Sequence, residues 1–236
     1  MAWLQQTVLT QLARRGFVVR RHPAVRRQKM LTAHGVDVVL DVGAATGAYG
    51  RELRDFGYTG AIVSFEPMAK PYAELTRALA GDPRWTARRC ALGATAGTAT
   101  INVASNSDSS SLLPLNSRHL EAAPDITYVA TEEIQVARLD DVAPEILTPA
   151  SRPFLKLDTQ GFEKQVLEGG SSTLPQCVGL QLELSFVPLY DGGMLADEAI
   201  SLVYDAGFAL VGLDQGFADP NGQILQADGV FFRPEG

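Results

Sequence analysis

The stretch "VVLDVGAATGAYG" at residues 38–50 decides the fold. A valine-rich run of strand length reaches Asp41, breaks into small residues and passes into a helical pattern. Glycine at such a junction lets the backbone approach a ligand closely, and the N–H groups of the helix start point at that ligand. The spacing is Gly43-x-x-x-Gly47, whereas a nicotinamide site favours G-x-G-x-x-G. A P-loop would carry Lys and then Ser or Thr after its second glycine, where this chain has Ala48 and Tyr49.

On either side of this junction, strand and helix patterns alternate. Helical spacing covers residues 2–15 and 24–34, then "VDVVLDV" reads as a buried strand and Ala48–Phe56 as a helix ended by Gly57. "GAIVSFEP" is a strand stopped by Pro67, and "KPYAELTRALAG" a helix with proline in its first turn and glycine past its end. "WTARRCALG", "TATINVA" and "YVATEEIQVARL" read as strands, the last two separated by a polar loop over 105–117. "PFLKLD" is another buried strand, followed by the turn "TQG", the helix "FEKQVLEGG", the strand "VGLQLEL" and a helix over 194–206. "FALVGLD" and "GVFFRP" close the chain as an antiparallel pair around Pro220, Asn221 and Gly222. This alternation predicts an α/β fold, a mostly parallel sheet with helices on both faces. Such sheets bind ligands beyond the carboxyl ends of their strands. The residues to interrogate are therefore Asp41–Gly47, Glu66, Cys90–Leu92, Asp158 and Glu183.

The 236 residues suit one large domain, and 46% hydrophobic content with a mean hydropathy of +0.02 suits a folded core. No apolar run approaches the roughly 20 residues that span a bilayer, and the N-terminus has no signal-peptide pattern. Cys90 and Cys177 lack metal or disulfide spacing and read as thiols of a reducing compartment, which points to the cytoplasm. The net charge of −7 is uneven: residues 1–36 carry seven basic side chains and no acid, leaving −14 on the remainder. Residues 1–36 are therefore read as a basic N-terminal helical cap and residues 37–236 as the main domain. An acidic body argues against a nucleic-acid partner. A homo-oligomer is compatible with the sequence but not required by it.

Asp41, directly under the glycine turn, would repel a diphosphate and suit a ligand bearing an ammonium group and a sulfonium. S-adenosylmethionine has both. Glu66 falls where an acid accepts hydrogen bonds from both ribose hydroxyls. The pieces "VLDVGAATGAYG", "VSFEP", "CALG", "SDSSSL", "VARLDDV", "FLKLDTQGFEKQVLEGG" and "LQLELS" resemble the FkbM family of S-adenosylmethionine-dependent methyltransferases, in family order across roughly residues 37–186. The resemblance implies a seven-stranded Rossmann-like sheet with its last strand antiparallel. It also implies O-methylation of a hydroxyl on a small molecule such as a sugar, glycolipid or polyketide-type natural product. On this reading the cofactor is held by Asp41, Gly43, Ala44, Ala45, Thr46, Gly47, Tyr49, Glu66, Pro67, Met68, Cys90, Ala91, Ser109, Ser110 and Asp158. Two departures stand out: Ala45 where the family often has asparagine, and Thr159-Gln160 in place of a commoner aliphatic-acidic pair.

An alcohol becomes a good nucleophile only as a base removes its proton, so the acceptor pocket should hold one. The candidates are Asp158, Glu183 in its apolar strand, and His119 after the Ser-rich loop. Asp158, Glu163 and Glu183 together offer the oxygen ligands that Mg²⁺ prefers, although no spacing demands a metal. Phe186, Leu189 and Tyr190 are candidates to line the acceptor pocket. The alternatives are an N-methyltransferase acting on a small amine and an NAD-dependent oxidoreductase.

Overall fold

The computed structural model describes residues 10–17, 19 and 21–234. Residues 10–14 are helical, and the earlier part of the helix expected over 2–15 lies outside the described residues. The next helix, α1 (Pro23–Ala33), begins with proline in its first turn and with the His22 ring accepting from the Ala24 N–H.

A seven-stranded sheet runs in the order β3-β2-β1-β7-β8-β10-β9, comprising β1 (Val38–Val42), β2 (Ala61–Phe65), β3 (Trp85–Arg88), β7 (Pro153–Leu157), β8 (Gly179–Ser185), β9 (Ala209–Gln215) and β10 (Gln226–Phe232). The first five in that spatial order pair in parallel, and β10 is antiparallel to both its neighbours. The closing hairpin therefore forms as its turn residues imply. Helices α2 (Ala48–Asp55) and α3 (Ala69–Ala78) link the first three strands, and α6 (Glu163–Gly169) and α7 (Ala196–Asp205) follow β7 and β8. From β1 the chain builds outward to β3 and then returns to place β7 on the other side of β1. Strand order reverses there, and a crevice opens at that edge.

The structure splits "WTARRCALG", read as one strand, into two. Its first half joins the main sheet as β3, and the chain then bends at Arg89–Cys90. Ala91–Leu92 (β4) pairs with the end of β6 (Tyr128–Ala137) in a separate sheet ordered β4-β6-β5, with β5 over Gly97–Ala104. This small sheet packs Ile101 and Ile134 against Met68, and the loop it carries reaches over the crevice. The short helices α4 (Ser117–Ala122) and α5 (Leu139–Val142) flank β6.

Two basic side chains of α1 pair with acids of the main domain. Arg26 donates to both carboxylate oxygens of Asp214 at 2.8 Å, and Arg27 pairs with Glu52 of α2. Leu31 of α1 is fully buried in one cluster with Val39, Phe154, Val230 and Phe232, so α1 shares the core of the main domain. Burying a leucine there contributes about 1.5–3 kcal/mol.

Candidate active site

A cavity of about 470 Å³ opens at the carboxyl ends of β1, β2, β7 and β8. Its floor is the β1–α2 turn, and Gly43 is the position that no other residue could fill. Its φ is +75°, and a Cβ there would lie 1.8 Å from the Asp158 carbonyl oxygen. The turns after β1 and β7 are thus pressed together. Gly47 departs from the expectation: it is off the cavity wall, and a Cβ there would meet Leu75 at 2.8 Å. Its left-handed N-cap conformation seats α2 against the core. Ala45 also has a positive φ, +46°. Asparagine tolerates that region better than alanine, so the departure at 45 costs backbone energy on the order of 1 kcal/mol.

Glu66, at the end of β2, is 3% exposed and lines the cavity. Its oxygens accept from the Ala45 N–H (3.0 Å) and the Met68 N–H (2.9 Å). Burial pushes its pKa up to about 7, against the opposing pull of those two N–H groups. Ribose hydroxyls donate to a carboxylate and so favour its charged form. Affinity for S-adenosylmethionine should therefore tighten as pH rises through about 7. Glu66→Gln should weaken affinity about 10- to 100-fold and flatten that dependence. Calorimetry across this range checks both, and a parallel pH dependence in the variant would refute the assignment. The sign for stability is opposite. The raised carboxyl favours folding while protonated, and that contribution is lost from about pH 4.5 to about 7.

Asp41 is corrected more substantially. Its carboxylate is 0% exposed and off the cavity wall, behind the glycine turn. It accepts from Ser64 Oγ at 2.9 Å, which itself accepts from the Trp85 indole N–H at 3.0 Å. Its other oxygen lies 3.2 Å from Lys156 Nζ. That ammonium donates to the Gly43 carbonyl at 3.0 Å and lies 3.6 Å from Asp158. Burial alone would lower the Lys156 pKa, but Asp41 and then Asp158 hold it above its usual value. Asp41 therefore shapes the glycine turn through Lys156.

Asp158 follows β7, keeps 40% of its side chain exposed and lines the cavity. Gln160, at φ +53°, stands between the acids: its amide nitrogen donates to Asp158 at 2.6 Å and to Glu183 at 3.1 Å. Glu183 is behind Gln160 and off the wall; burial and then the charges of Asp158, Glu163 and Asp228 push its pKa well up. Glu163 is buried and fastens the turn, accepting from the Thr159 N–H (2.8 Å), Thr159 Oγ1 (3.0 Å) and the Gly161 N–H (3.3 Å). No set of three His, Cys, Asp or Glu side chains able to hold a metal occurs among the described residues.

His119 is corrected too. It lies on α4 at 4% exposure, with both ring nitrogens lacking hydrogen-bond partners and its ring 5.4 Å from Tyr190 and 5.9 Å from Phe217. Burial lowers its pKa, and it is off the cavity wall, so it can take no proton from an acceptor there. Cys90 and Ser109 are likewise off the wall, whereas Ala44, Ala45, Thr46, Tyr49, Pro67, Met68, Ala91 and Ser110 are on it. Of the pocket candidates from the loop after β8, Tyr190 and Leu189 are buried and Phe186 is exposed. Residues given no role in the site by the sequence also shape it: Arg27, Lys156, Gln160, Gln181 and Asp228 all line it. Lysine inside the apolar strand "FLKL" was the available signal.

The sequence profile of the methyltransferase FkbM domain matches residues 41–210. The chain belongs to that family. It is an S-adenosylmethionine-dependent methyltransferase, which removes the oxidoreductase alternative. No curated protein matches the sequence. Among solved structures, a Thermobifida fusca protein assigned to the methyltransferases is 12% identical, with a TM-score of 0.50, over 90% of this chain and 79% of that one. An rRNA methylase from Streptococcus thermophilus is also 12% identical, with a TM-score of 0.49, over 92% and 100%. Magnesium protoporphyrin IX methyltransferase from Synechocystis, solved with bound S-adenosylmethionine, is 11% identical, with a TM-score of 0.49, over 89% and 78%. The likeness to the Thermobifida protein speaks for a shared fold only. No helix among the described residues is long and apolar enough to cross a membrane.

Proposed function

We propose that this FkbM-family enzyme methylates a hydroxyl of a small molecule, of the sugar, glycolipid or polyketide kind, with Asp158 as general base. The observation that carries the reading is the Asp158 carboxylate, open to the cavity beside the β1 turn while Glu183 and His119 are withdrawn from it. Asp228 also reaches the wall, where burial, followed by the Asp158 charge, raises its pKa.

The residues present fit the cofactor. The small-residue turn 43–46 leaves room for the methionine moiety, Glu66 would accept from the ribose hydroxyls, and Met68, Ala91 and Leu92 would give an apolar wall for the adenine. S-adenosylmethionine supplies an electrophilic methyl group on a sulfonium. The acceptor would occupy the arm between α1 and the strand tips, walled by Arg27, Tyr49, Gln181 and Asp228, with the Tyr49 hydroxyl 3.2 Å from Gln181 Oε1. The basic segment's α1 then acts as a cap that contributes Arg27 to the wall of this arm. Asp158 takes the acceptor's hydroxyl proton while the walls hold its oxygen in line, and such alignment supplies up to ~7–11 kcal/mol in the best intramolecular systems. The free thiols Cys90 and Cys177 suit a cytoplasmic setting.

The test is transfer of a labelled methyl group to a panel of glycosides, polyketides and small amines, with RNA as a further arm. Label on an acceptor oxygen supports the reading. Label confined to amine nitrogen, or to RNA, replaces it.

A further inference from the structure

Between the cofactor loop and the proposed base, one side chain has every hydrogen-bonding group used. The Gln160 amide nitrogen donates to Asp158 Oδ1 (2.6 Å) and Glu183 Oε2 (3.1 Å), and its amide oxygen accepts from the Tyr190 hydroxyl (2.6 Å). Its backbone carbonyl accepts from Ser111 Oγ at 2.7 Å, and the Tyr190 hydroxyl is also 3.4 Å from the Ser109 carbonyl. Ser109 and Ser111 belong to the loop that covers the cavity, and their neighbours Ser110 and Leu112 line it. Holding Gln160 at φ +53° costs about 1–3 kcal/mol, so its surroundings must over-determine it.

We propose that Gln160 is a positioning residue for methyl transfer, aiming the Asp158 carboxylate at the acceptor and tying that aim to the seating of the Ser107–Leu112 loop over the cofactor. The proposal rests on Asp158 being the base. A primary amide suits the task because it offers two donors and one acceptor without adding charge. The groups it contacts, Asp158, Glu183 and Tyr190, are already charged or titratable, and Lys156 of β7, Glu163 of α6 and Asp228 of β10 act on them in turn. A carboxylate at position 160 would leave both neighbouring acids without their donor and add a like charge.

The test compares Gln160→Leu, Gln160→Glu and Tyr190→Phe in the full chain. Q160L should lower kcat about 10- to 100-fold, as small misplacements of a reacting group do, while the Kd for S-adenosylmethionine stays within about threefold. Y190F added to Q160L should have almost no further effect, because Tyr190 acts on Asp158 through its hydrogen bond to Gln160. Q160E should regain activity relative to the native chain as pH falls from about 8 to about 6, since only its protonated form can donate. An unchanged kcat in Q160L, additive losses in the double variant, or a flat Q160E ratio would each overturn the proposal. So would loss of cofactor binding in step with kcat. Asp158→Asn, measured alongside, keeps the two claims apart. If it retains native kcat, the base assignment fails. If it loses activity while Q160L does not, the base stands and Gln160 has no part in aiming it.

Discussion

Asp158→Asn should lower kcat by about 10²–10⁴-fold, the contribution typical of a positioned general base. Asparagine keeps the shape and can still accept from Gln160, but it cannot take a proton. The fold should survive the change. Lys156 retains Asp41 at 3.2 Å, and its 3.6 Å pairing with Asp158 is worth little, because that carboxylate is 40% exposed and solvent screens it. Cofactor affinity should change little as well, since the groups proposed to hold the ribose and methionine lie on the β1 and β2 turns. Single-turnover kinetics beside calorimetry read the two effects separately. A kcat near the native value would move the base to Asp228, the other strand-tip carboxylate on the cavity wall.

The sheet was legible because its strands are short apolar runs punctuated by proline, glycine and polar loops, and because periodicity reports burial. β1 and β7 are buried along their whole length, as uninterrupted apolar runs suggest. Position along a strand also told which residues reach the binding edge, and Glu66 and Asp158 followed from that alone. The break in "WTARRCALG" was not legible. Continuous strand propensity cannot show that Leu92 pairs with Ala137 when Arg88 pairs with Phe65, a choice made by distant partners.

Charge was harder to place than hydrophobicity. An acid under a glycine turn reads as a ligand contact unless its counter-ion is known, and Lys156 sits 115 positions further along the chain. Gly47 looked like a second ligand-approach glycine, whereas the atoms it must clear belong to Leu75 and Trp85. The histidine after the Ser-rich loop read as a candidate base, yet α4 turns it into an apolar cluster with Tyr190 and Phe217. The basic leader read as a helical cap, but the acids that meet it could not be read from the sequence. Asp214 and Glu52, which receive Arg26 and Arg27, lie in β9 and α2.

Lys156→Met tests the buried pair on which the cavity floor depends, and its effect should be on stability before chemistry. Methionine matches the lysine stem in length and can fill the same volume, so the change removes chiefly the charge and its hydrogen bonds. What remains is a carboxylate at 0% exposure with Ser64 Oγ as its hydrogen-bond donor, and a Gly43 carbonyl without its ammonium partner. Breaking a buried pair on one side typically costs about 3–5 kcal/mol, because the surviving charge cannot be solvated. For a chain of this size that predicts a fall in Tm of roughly 6–20 °C. Asp41→Asn in the same background should restore much of the loss, since a neutral amide can still accept from Ser64 and leaves no buried charge behind. Non-additivity in this double-mutant cycle is the decisive quantity. If the two losses simply add, Asp41 and Lys156 do not act as a unit, and the glycine turn owes its shape to Gly43 and the close approach of Asp158 alone.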